Sequence, residues 1–244
     1  MKVFKGDLHI HTCLSPCAEL EMSPVVIVET SLKKGLDFIA VCDHNSAENV
    51  GAVLKAGSKR GLIVFPGMEI NSIEEVHILA IFRSEKQAVK MQDIIYKNLD
   101  GVNRPEIFGE QIIANEFDEV HGFNEKLLIG ATRLKLKDIV RETHFLGGLS
   151  IASHVDRPSY SVMSQLGFIP PDLEFDAVEI SFRSNIESFL KTTKNAGAFP
   201  VITSSDAHRF DDIGKVQTSF FIETPCLDEI RMAFEDESGR RIIN

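Results

Sequence analysis

One stretch near the start of the chain decides the fold: Val3-Phe4-Lys5-Gly6-Asp7-Leu8-His9-Ile10-His11. It is an apolar run that ends in two histidines placed two residues apart. In a β-strand such residues lie on the same face, about 7 Å apart, which suits two ligands of one divalent metal ion. Asp206-Ala207-His208 repeats the spacing near the other end of the chain. The two pairs indicate a closed fold that joins them in one site, a pattern typical of metal hydrolases.

Six further short apolar runs follow the first one: Phe38 to Cys42, Leu62 to Met68, Val76 to Phe82, Leu149 to Ala152, Ala177 to Ile180 and Pro200 to Thr203. Near-continuous apolar runs are typical of parallel strands that are buried on both faces. Helix-like stretches lie between and after them, at 23–34, 48–59, 135–146, 186–195 and 227–235. This alternation of strands and helices predicts an α/β fold.

The stretch from Ser84 to Arg133 interrupts this alternation. Within it, Gln87–Leu99 and Pro105–Val120 are predicted to be helical. About 50 residues is the lower size limit for an independent core, so we interpret the stretch as a mostly helical insertion into a single domain of 1–244. A lid, a dimer contact and helices packed on the outside are all compatible with this composition.

Composition and charge restrict the class of partner. The 244 residues carry a formal net charge of −10, which argues against long nucleic acid as the main partner. A small anionic substrate remains compatible, because bound metal ions can reverse the local field. No apolar run approaches the roughly 18 residues of a membrane span, and residues 1–6 leave no room for a signal peptide. We therefore expect a cytoplasmic chain with no membrane partner.

The four cysteines are expected to be reduced thiols in that compartment. Cys13 and Cys17 have the spacing of half a zinc site, but no second pair at matching spacing completes it.

Candidate metal ligands stand where the apolar runs end: His9, His11, Asp43-His44, Glu69, His154, Asp206 and His208. In a barrel of parallel strands the carboxyl ends meet at one face, where active sites are built. His77 lies near the start of its own run, so we expect it to come from a strand that runs the other way. The convergence of these side chains predicts a metal centre.

Six short motifs, in order, resemble those of the PHP (polymerase and histidinol phosphatase) family: Asp7-Leu8-His9-Ile10-His11-Thr12, Cys42-Asp43-His44-Asn45, Gly67-Met68-Glu69, Val76-His77-Ile78-Leu79, Ser153-His154-x2-Arg157 and Ser205-Asp206-Ala207-His208. The chain looks most like the stand-alone bacterial phosphoesterases of that family. The resemblance implies a distorted (β/α)7 TIM-like barrel, two or three divalent ions (zinc, manganese or iron) and phosphoesterase activity.

The resemblance also implies three sets of ligands. One ion would be held by His9, His11, Glu69 and Asp206, and Glu69 would bridge to a second ion that His77 and His154 complete. A third would be held by His44 and His208 with an acid from the loop after the first strand. In that loop the sequence departs from the family pattern. Counting back from Ser23-Pro24 places Glu19 at the acidic position, with Glu21 and Cys17 as alternatives.

Substrate contacts are carried over in the same way. The resemblance assigns Arg157 to the substrate phosphate, which suits a guanidinium fork that matches two phosphate oxygens. Arg209 and Asn45 are weaker substrate-binding candidates. Asp43 is a candidate for proton transfer or, equally, for orienting a ligand histidine.

The chemistry favours hydrolysis of a small phosphorylated metabolite or nucleotide. Three carboxylate ligands would face six positive charges on three divalent ions, which leaves a positive pocket for a phosphate. A water shared by two ions is expected to ionise near neutral pH and act as the nucleophile. The alternatives are an amidohydrolase-like enzyme that cleaves a C–N or ester bond, and a non-catalytic metal-binding module.

Overall fold

The computed structural model describes residues 1–170, 172–181, 189 and 198–243. The strands in this part of the chain are β1 (Lys2–Ile10), β2 (Phe38–Val41), β3 (Ile63–Asn71), β4 (His77–Ile81), β5 (Ile112–Ala114), β6 (Val120–Phe123), β7 (Leu149–Ala152), β8 (Ala177–Glu179), β9 (Val201–Ile202), β10 (Thr218–Ile222) and β11 (Arg241–Ile243). The α-helices whose bounds lie within the described residues are α1 (Pro24–Lys33), α2 (Val50–Arg60), α3 (Glu85–Asn98), α4 (Pro105–Phe108), α5 (Leu136–Phe145), α6 (Val162–Leu166) and α7 (Leu227–Phe234).

Nine strands form one sheet in the order β11-β10-β1-β2-β3-β4-β7-β8-β9. The pairs β1–β2, β2–β3, β7–β8 and β8–β9 are parallel. Strand β4 is antiparallel to both of its neighbours, which confirms the reversed direction expected for the strand with His77. All seven predicted strands are present, and β10 and β11 are additional strands that the sequence pattern did not reveal.

The two sides of the sheet meet beyond the end of β9. The backbone N–H of His11 donates to the carbonyl of Ala207 at 3.0 Å, and the N–H of Ala207 donates to the carbonyl of His9 at 3.2 Å. These bonds join the segment after β9 to the end of β1 and nearly close the sheet into a barrel. The predicted α/β barrel is confirmed, and its closure places the first and last motifs side by side.

Alternate strand residues fill the inside of the barrel. The rings of Phe38 and Phe65 lie 5.5 Å apart between centroids, and Phe220 lies 5.5 Å from Phe38 on another side. Gly6 allows this packing, because a Cβ at that position would lie 2.1 Å from the Phe38 ring. Phe234 of α7 packs against the same cluster. The large side chains therefore form a solid core rather than a channel.

The outer face of the sheet is covered by helices. Residues Ile27 and Val28 of α1 and Val50 and Val53 of α2 are fully buried in the outer core. Helix α1 begins with Pro24 at its first position, where a missing N–H costs nothing. The predicted helices at 23–34, 48–59, 135–146 and 227–235 are confirmed to within two residues at each end. Of the predicted helix at 186–195, only Phe189 lies within the described residues, and it is helical.

The prediction that Pro105–Val120 is helical is wrong. Only the four residues of α4 are helical, and β5 and β6 form a two-stranded hairpin. The turn between them is set by Asn115, whose side-chain oxygen accepts the N–H groups of Phe117 at 2.9 Å and Glu119 at 3.1 Å. Such side-chain bonds favour a turn over a helix. The insertion is therefore part helix and part hairpin.

The insertion packs beside the metal ligands. The N–H of Ile112 donates to the carbonyl of Cys13 at 3.0 Å, which ties the hairpin to the loop after β1.

No helix in the described part of the chain is both long and apolar enough to cross a bilayer.

Candidate metal centre

The barrel brings one group of predicted ligands into contact around the end of β1. The Nε2 atoms of His9 and His11 lie 3.1 Å apart. The Oδ1 atom of Asp206 lies 3.3 Å from the first and 3.1 Å from the second. Glu69, from β3, places one oxygen 3.4 Å from His9 and the other 3.5 Å from His11. All four ligand atoms lie within 4.8 Å of one another, which is the set that the family resemblance implies.

Glu69 also faces a second group of imidazoles. Its Oε1 atom lies 3.0 Å from Nδ1 of His77 and 3.2 Å from Nε2 of His154. Its Oε2 atom lies 3.2 Å from Nδ1 of His44. The carboxylate is 1% exposed. One buried acid thus stands between histidines of all three expected sets, as a bridging ligand must.

The third group consists of His11, His44 and His208. The rings of His11 and His208 are stacked with their centroids 4.1 Å apart. Glu19 is close by, since its backbone N–H donates to the carbonyl of His208 at 2.9 Å. Its carboxylate contacts Arg209 at 3.0 Å and is not within the group of ligand atoms.

The donor set fits divalent metal ions. Burial lowers the pKa of His11 to about 3, helped by the nearby His208, so its imidazole is neutral and offers a lone pair. Burial alone would raise the pKa of Glu69, but the surrounding imidazoles hold it well below its usual value. Nδ1 of His154 is buried without a hydrogen-bond partner among the described residues. Imidazole nitrogens and carboxylate oxygens together are the ligands of zinc, iron and manganese sites.

Glu179 is a site residue that the sequence analysis missed. It ends β8, is buried, and contacts Nδ1 of His9 with both carboxylate oxygens, at 3.1 and 3.2 Å. The signal was present, because an acid inside the apolar run 177–180 is unusual in a buried strand. Its contact leaves Nε2 of His9 to face the other ligands.

Asp43 is enclosed behind the ligands. It accepts hydrogen bonds from the backbone N–H and hydroxyl of Thr12, at 2.7 and 2.8 Å, and from the hydroxyl of Ser15 at 2.7 Å. The Ser15 hydroxyl also lies 3.0 Å from Nδ1 of His11. Of the two roles open to Asp43 from the sequence, this geometry matches orientation of a ligand histidine, acting through Ser15.

Asp7 fixes the segment that carries Asp206. Its carboxylate accepts the backbone N–H groups of Ser205 and Gly214, both at 3.0 Å. Burial raises the pKa of Asp7 to about 6. The contacts tie the chain on both sides of Asp206 to β1.

Arg157 lies at the mouth of the centre. Its Nη1 atom contacts Oδ2 of Asp206 at 2.6 Å, and 29% of the side chain is exposed. It lines both a cavity of about 200 Å³ next to the ligands and a cleft of about 770 Å³ outside it. Arg209 and Lys215 line only the outer cleft. A guanidinium in this position can reach a phosphate that approaches the metal ligands.

The side chain of Asn45, which was predicted to bind substrate, is bonded to backbone groups instead. Its side-chain nitrogen donates to the carbonyls of Leu128 and Gly130, both at 2.8 Å, and its oxygen accepts the N–H of Asn71 at 3.1 Å. Both N–H groups and the oxygen of the side-chain amide are therefore hydrogen-bonded to the backbone. Its role is to hold the insertion against the barrel.

Comparison with known proteins agrees with these motifs. A family model for PHP-associated sequences matches residues 196–237. The fold is similar to that of the lesion-specific endonuclease PfuEndoQ from Pyrococcus furiosus, with a TM-score of 0.74 and 20% identity, over 98% of this chain and 57% of that one. The family match and the likeness of fold agree with the resemblance to the PHP family that the motifs carry.

The chain is 21% identical over 274 residues to the uncharacterized protein YqxK of Bacillus subtilis strain 168, covering 100% of the chain and 65% of YqxK. A complex of Endonuclease Q with a 27-mer duplex that carries an abasic lesion at the active site is similar in fold, with a TM-score of 0.70 and 20% identity, over 98% of this chain and 58% of that one. A Bifidobacterium adolescentis protein described provisionally as a metal-dependent phosphoesterase has a TM-score of 0.55 and 19% identity, over 83% and 87% of the two chains. The chain thus spans less than two thirds of YqxK and of Endonuclease Q.

Proposed function

We propose that the protein is a metal-dependent phosphoesterase. The observation that carries the proposal is the position of Glu69, whose two oxygens lie within 3.5 Å of imidazoles from every expected ligand set. A carboxylate shared in this way is typical of sites that hold two ions side by side, and such sites hydrolyse phosphate esters by in-line displacement.

The proposed ligand sets follow the family pattern. His9, His11, Glu69 and Asp206 hold one ion, and Glu69, His77 and His154 hold a second. His44, His208 and Glu19 hold a third, with His11 close to this set. Mixed nitrogen and oxygen ligands accept zinc, manganese or iron.

The chain's own residues orient and stabilise the reacting groups. Bound ions supply Lewis acidity and lower the pKa of water near them. Glu179 and Ser15 hold the rings of His9 and His11 in the orientation that points Nε2 into the centre. The guanidinium of Arg157 donates hydrogen bonds to the equatorial phosphate oxygens and stabilises the charge that develops on them. The substrate is a small phosphorylated metabolite or nucleotide that enters through the outer cleft.

The test is phosphate release from a panel of phosphomonoesters and nucleotides after reconstitution with manganese, zinc or iron. We expect turnover that a chelator abolishes and that Glu69→Gln reduces by at least 100-fold. Glu125→Gln, at an exposed position of the insertion, is the matched control and should match the wild type. Absence of turnover across the panel, with metal verified in the protein, would contradict the proposal.

A phosphodiester in DNA is a second candidate substrate. Similarity of fold to Endonuclease Q over 98% of the chain favours it, whereas the net charge of −10 opposes it. Incubation of the metal-loaded protein with duplexes that do or do not contain an abasic site decides between the two. Nicking that depends on the lesion would favour the diester. If the protein hydrolyses monoesters but does not nick either duplex, the diester is excluded.

A further inference from the structure

The loop that follows β7 carries three groups of the centre. It provides His154, the fork of Arg157 and the ring of Tyr160, all of which line the inner cavity. Its far end is fixed by Ser161, whose hydroxyl donates to the carbonyl of Arg157 at 2.8 Å and accepts the N–H of Ser164 at 3.0 Å as the cap of α6. These hydrogen bonds fix the backbone between Arg157 and Ser161, and with it the spacing of the Arg157 guanidinium and the Tyr160 ring.

Tyr160 has a strained backbone that a hydrogen bond holds in place, because its carbonyl accepts the N–H of His77 at 2.9 Å. Its φ is 55°, in the left-handed region that bulky residues avoid. The residue is 44% exposed, so burial of the ring does little to offset the strain. The ring is stacked on His77, with centroids 4.7 Å apart and planes at 22°. The backbone bond and the ring contact both hold Tyr160 against His77, and the exposed part of the ring is left at the wall of the inner cavity.

Tyr160 stands where part of a bound phosphate ester would lie. It shares the inner cavity with Glu69, Arg157 and the apolar side chain of Ile129. Arg157 and Ser159, beside it in the loop, also line the outer cleft. A phosphate held between the fork and the metal ligands would leave its organic group beside the exposed part of the ring.

Resting on the proposed function, we propose that Tyr160 is a stacking platform and that the substrate is a phosphate ester carrying a flat aromatic ring, such as a nucleobase. Stacking on an aromatic side chain is selective for such rings over open-chain alcohols and sugars. The phosphate is held by Arg157 and the metal centre, and the ring lies on Tyr160. The competing explanation is that Tyr160 only covers the ligand His77.

The test compares phenylphosphonate with methylphosphonate, which share the anionic head and differ in the ring. Neither has an ester bond to hydrolyse, so binding to the metal-loaded protein can be measured by calorimetry. We expect phenylphosphonate to bind roughly 5- to 150-fold more tightly. Equal affinities, or no binding of phenylphosphonate, would overturn the proposal. Failure to hydrolyse any phosphate ester would instead contradict the proposed function, because these probes report only recognition.

Variants separate the two roles of the ring. Tyr160→Ala should remove the preference for phenylphosphonate and leave the metal content and the affinity for methylphosphonate unchanged. Tyr160→Phe should keep the preference, and Phe168→Ala, which removes an exposed ring shortly after α6, should behave as the wild type. If Tyr160→Ala loses metal and both probes weaken equally, the ring only protects His77 and the proposal fails.

Discussion

Both carboxylate oxygens of Glu179 lie within hydrogen-bond distance of Nδ1 of His9, at 3.1 and 3.2 Å. The same carboxylate accepts the backbone N–H of His154 at 3.1 Å. One buried acid therefore orients a ligand side chain of the first proposed metal set and fixes the backbone of a ligand of the second. Glu179 therefore connects the two sets structurally. Its own oxygens are not among the candidate ligand atoms that lie close together.

Replacement of Glu179 by glutamine should weaken metal binding. The amide keeps the shape but loses the charge that holds His9, and loss of such a partner typically lowers affinity roughly 10- to 100-fold. Titration of the metal-free protein with zinc or manganese by calorimetry measures the effect. Glu174→Gln, at an exposed position before β8, is the control. Unchanged affinity in Glu179→Gln would show that His9 needs no such support.

Replacement of Arg157 by alanine should reduce kcat/KM for phosphate substrates by roughly 100- to 1000-fold, because the guanidinium stabilises developing charge. Arg157→Lys should recover only part of the rate, since lysine keeps the charge but not the fork. The kinetics are measured with metal content determined in parallel. Arg141→Ala, on the exposed face of α5, should be neutral.

Metal content distinguishes two roles for Arg157, because its guanidinium also contacts Asp206 at 2.6 Å. We expect Arg157→Ala to retain its metal. Loss of metal that parallels the loss of rate would assign Arg157 to positioning Asp206 rather than to binding substrate.

Replacement of Glu19 by glutamine should lower the bound metal by about one equivalent. The residue lies beside His208 in the outer cleft and is the proposed acid of the third ligand set. Elemental analysis after equilibrium dialysis gives the stoichiometry. Glu125→Gln, at an exposed position of the insertion, is the control, and Glu21→Gln tests the alternative acid of the same loop. If the wild type and Glu19→Gln bind the same number of ions, Glu19 is not a ligand, and other residues hold every bound ion.

Removal of metal should lower thermal stability. Ions that bind only the folded state stabilise it by about 2.7 kcal/mol at a concentration 100 times the Kd, which corresponds to a rise in Tm of roughly 5–11 °C for a chain of this size. Thermal melts followed by circular dichroism, with chelator and after metal is restored, test this expectation. A Tm that does not respond to either treatment would contradict it.

Replacement of Asn45 by alanine should destabilise the fold by roughly 2–4 kcal/mol, because three backbone groups lose their partners. Asn45 also has a φ of 50°, which alanine tolerates less well than asparagine. Asn45→Gly separates the causes, since glycine accepts this φ but restores no hydrogen bond. Urea unfolding measures both variants. Wild-type stability in Asn45→Ala would show that the insertion is held by other contacts.

The strands of the barrel could be predicted from local sequence, and the hairpin of the insertion could not. Apolar runs such as 38–42 and 149–152 are unambiguous because both of their faces are buried. The segment 105–120 has no such signal, and its structure depends on the turn at Asn115 and on the contact between Ile112 and Cys13. Strand β11 also carries little local signal, since it is short and largely exposed.

The sequence also indicated the candidate metal ligands better than the residues that support them. A ligand such as His11 stands out because a polar residue at the end of an apolar strand needs a partner. Glu179 carries the same signal at the end of its strand, but its role could not be predicted, because that role depends on which imidazole it reaches; the same holds for Ser15. The same is true of Asn45, whose place beside a ligand in the chain did not reveal that its side chain points to the insertion.

By itself, the sequence determined the strand-and-helix alternation and the residue types of the metal centre, because both follow from hydrophobic patterning and from the chemistry of individual side chains. Only the tertiary structure decided that Glu69 stands between the ligand sets, that Glu179 supports His9, and that Tyr160 lies beside Arg157 at the mouth of the site. These are distances between atoms far apart along the chain. They are set by closure of the barrel, which joins Ile10 to Ala207, and no local pattern contains them.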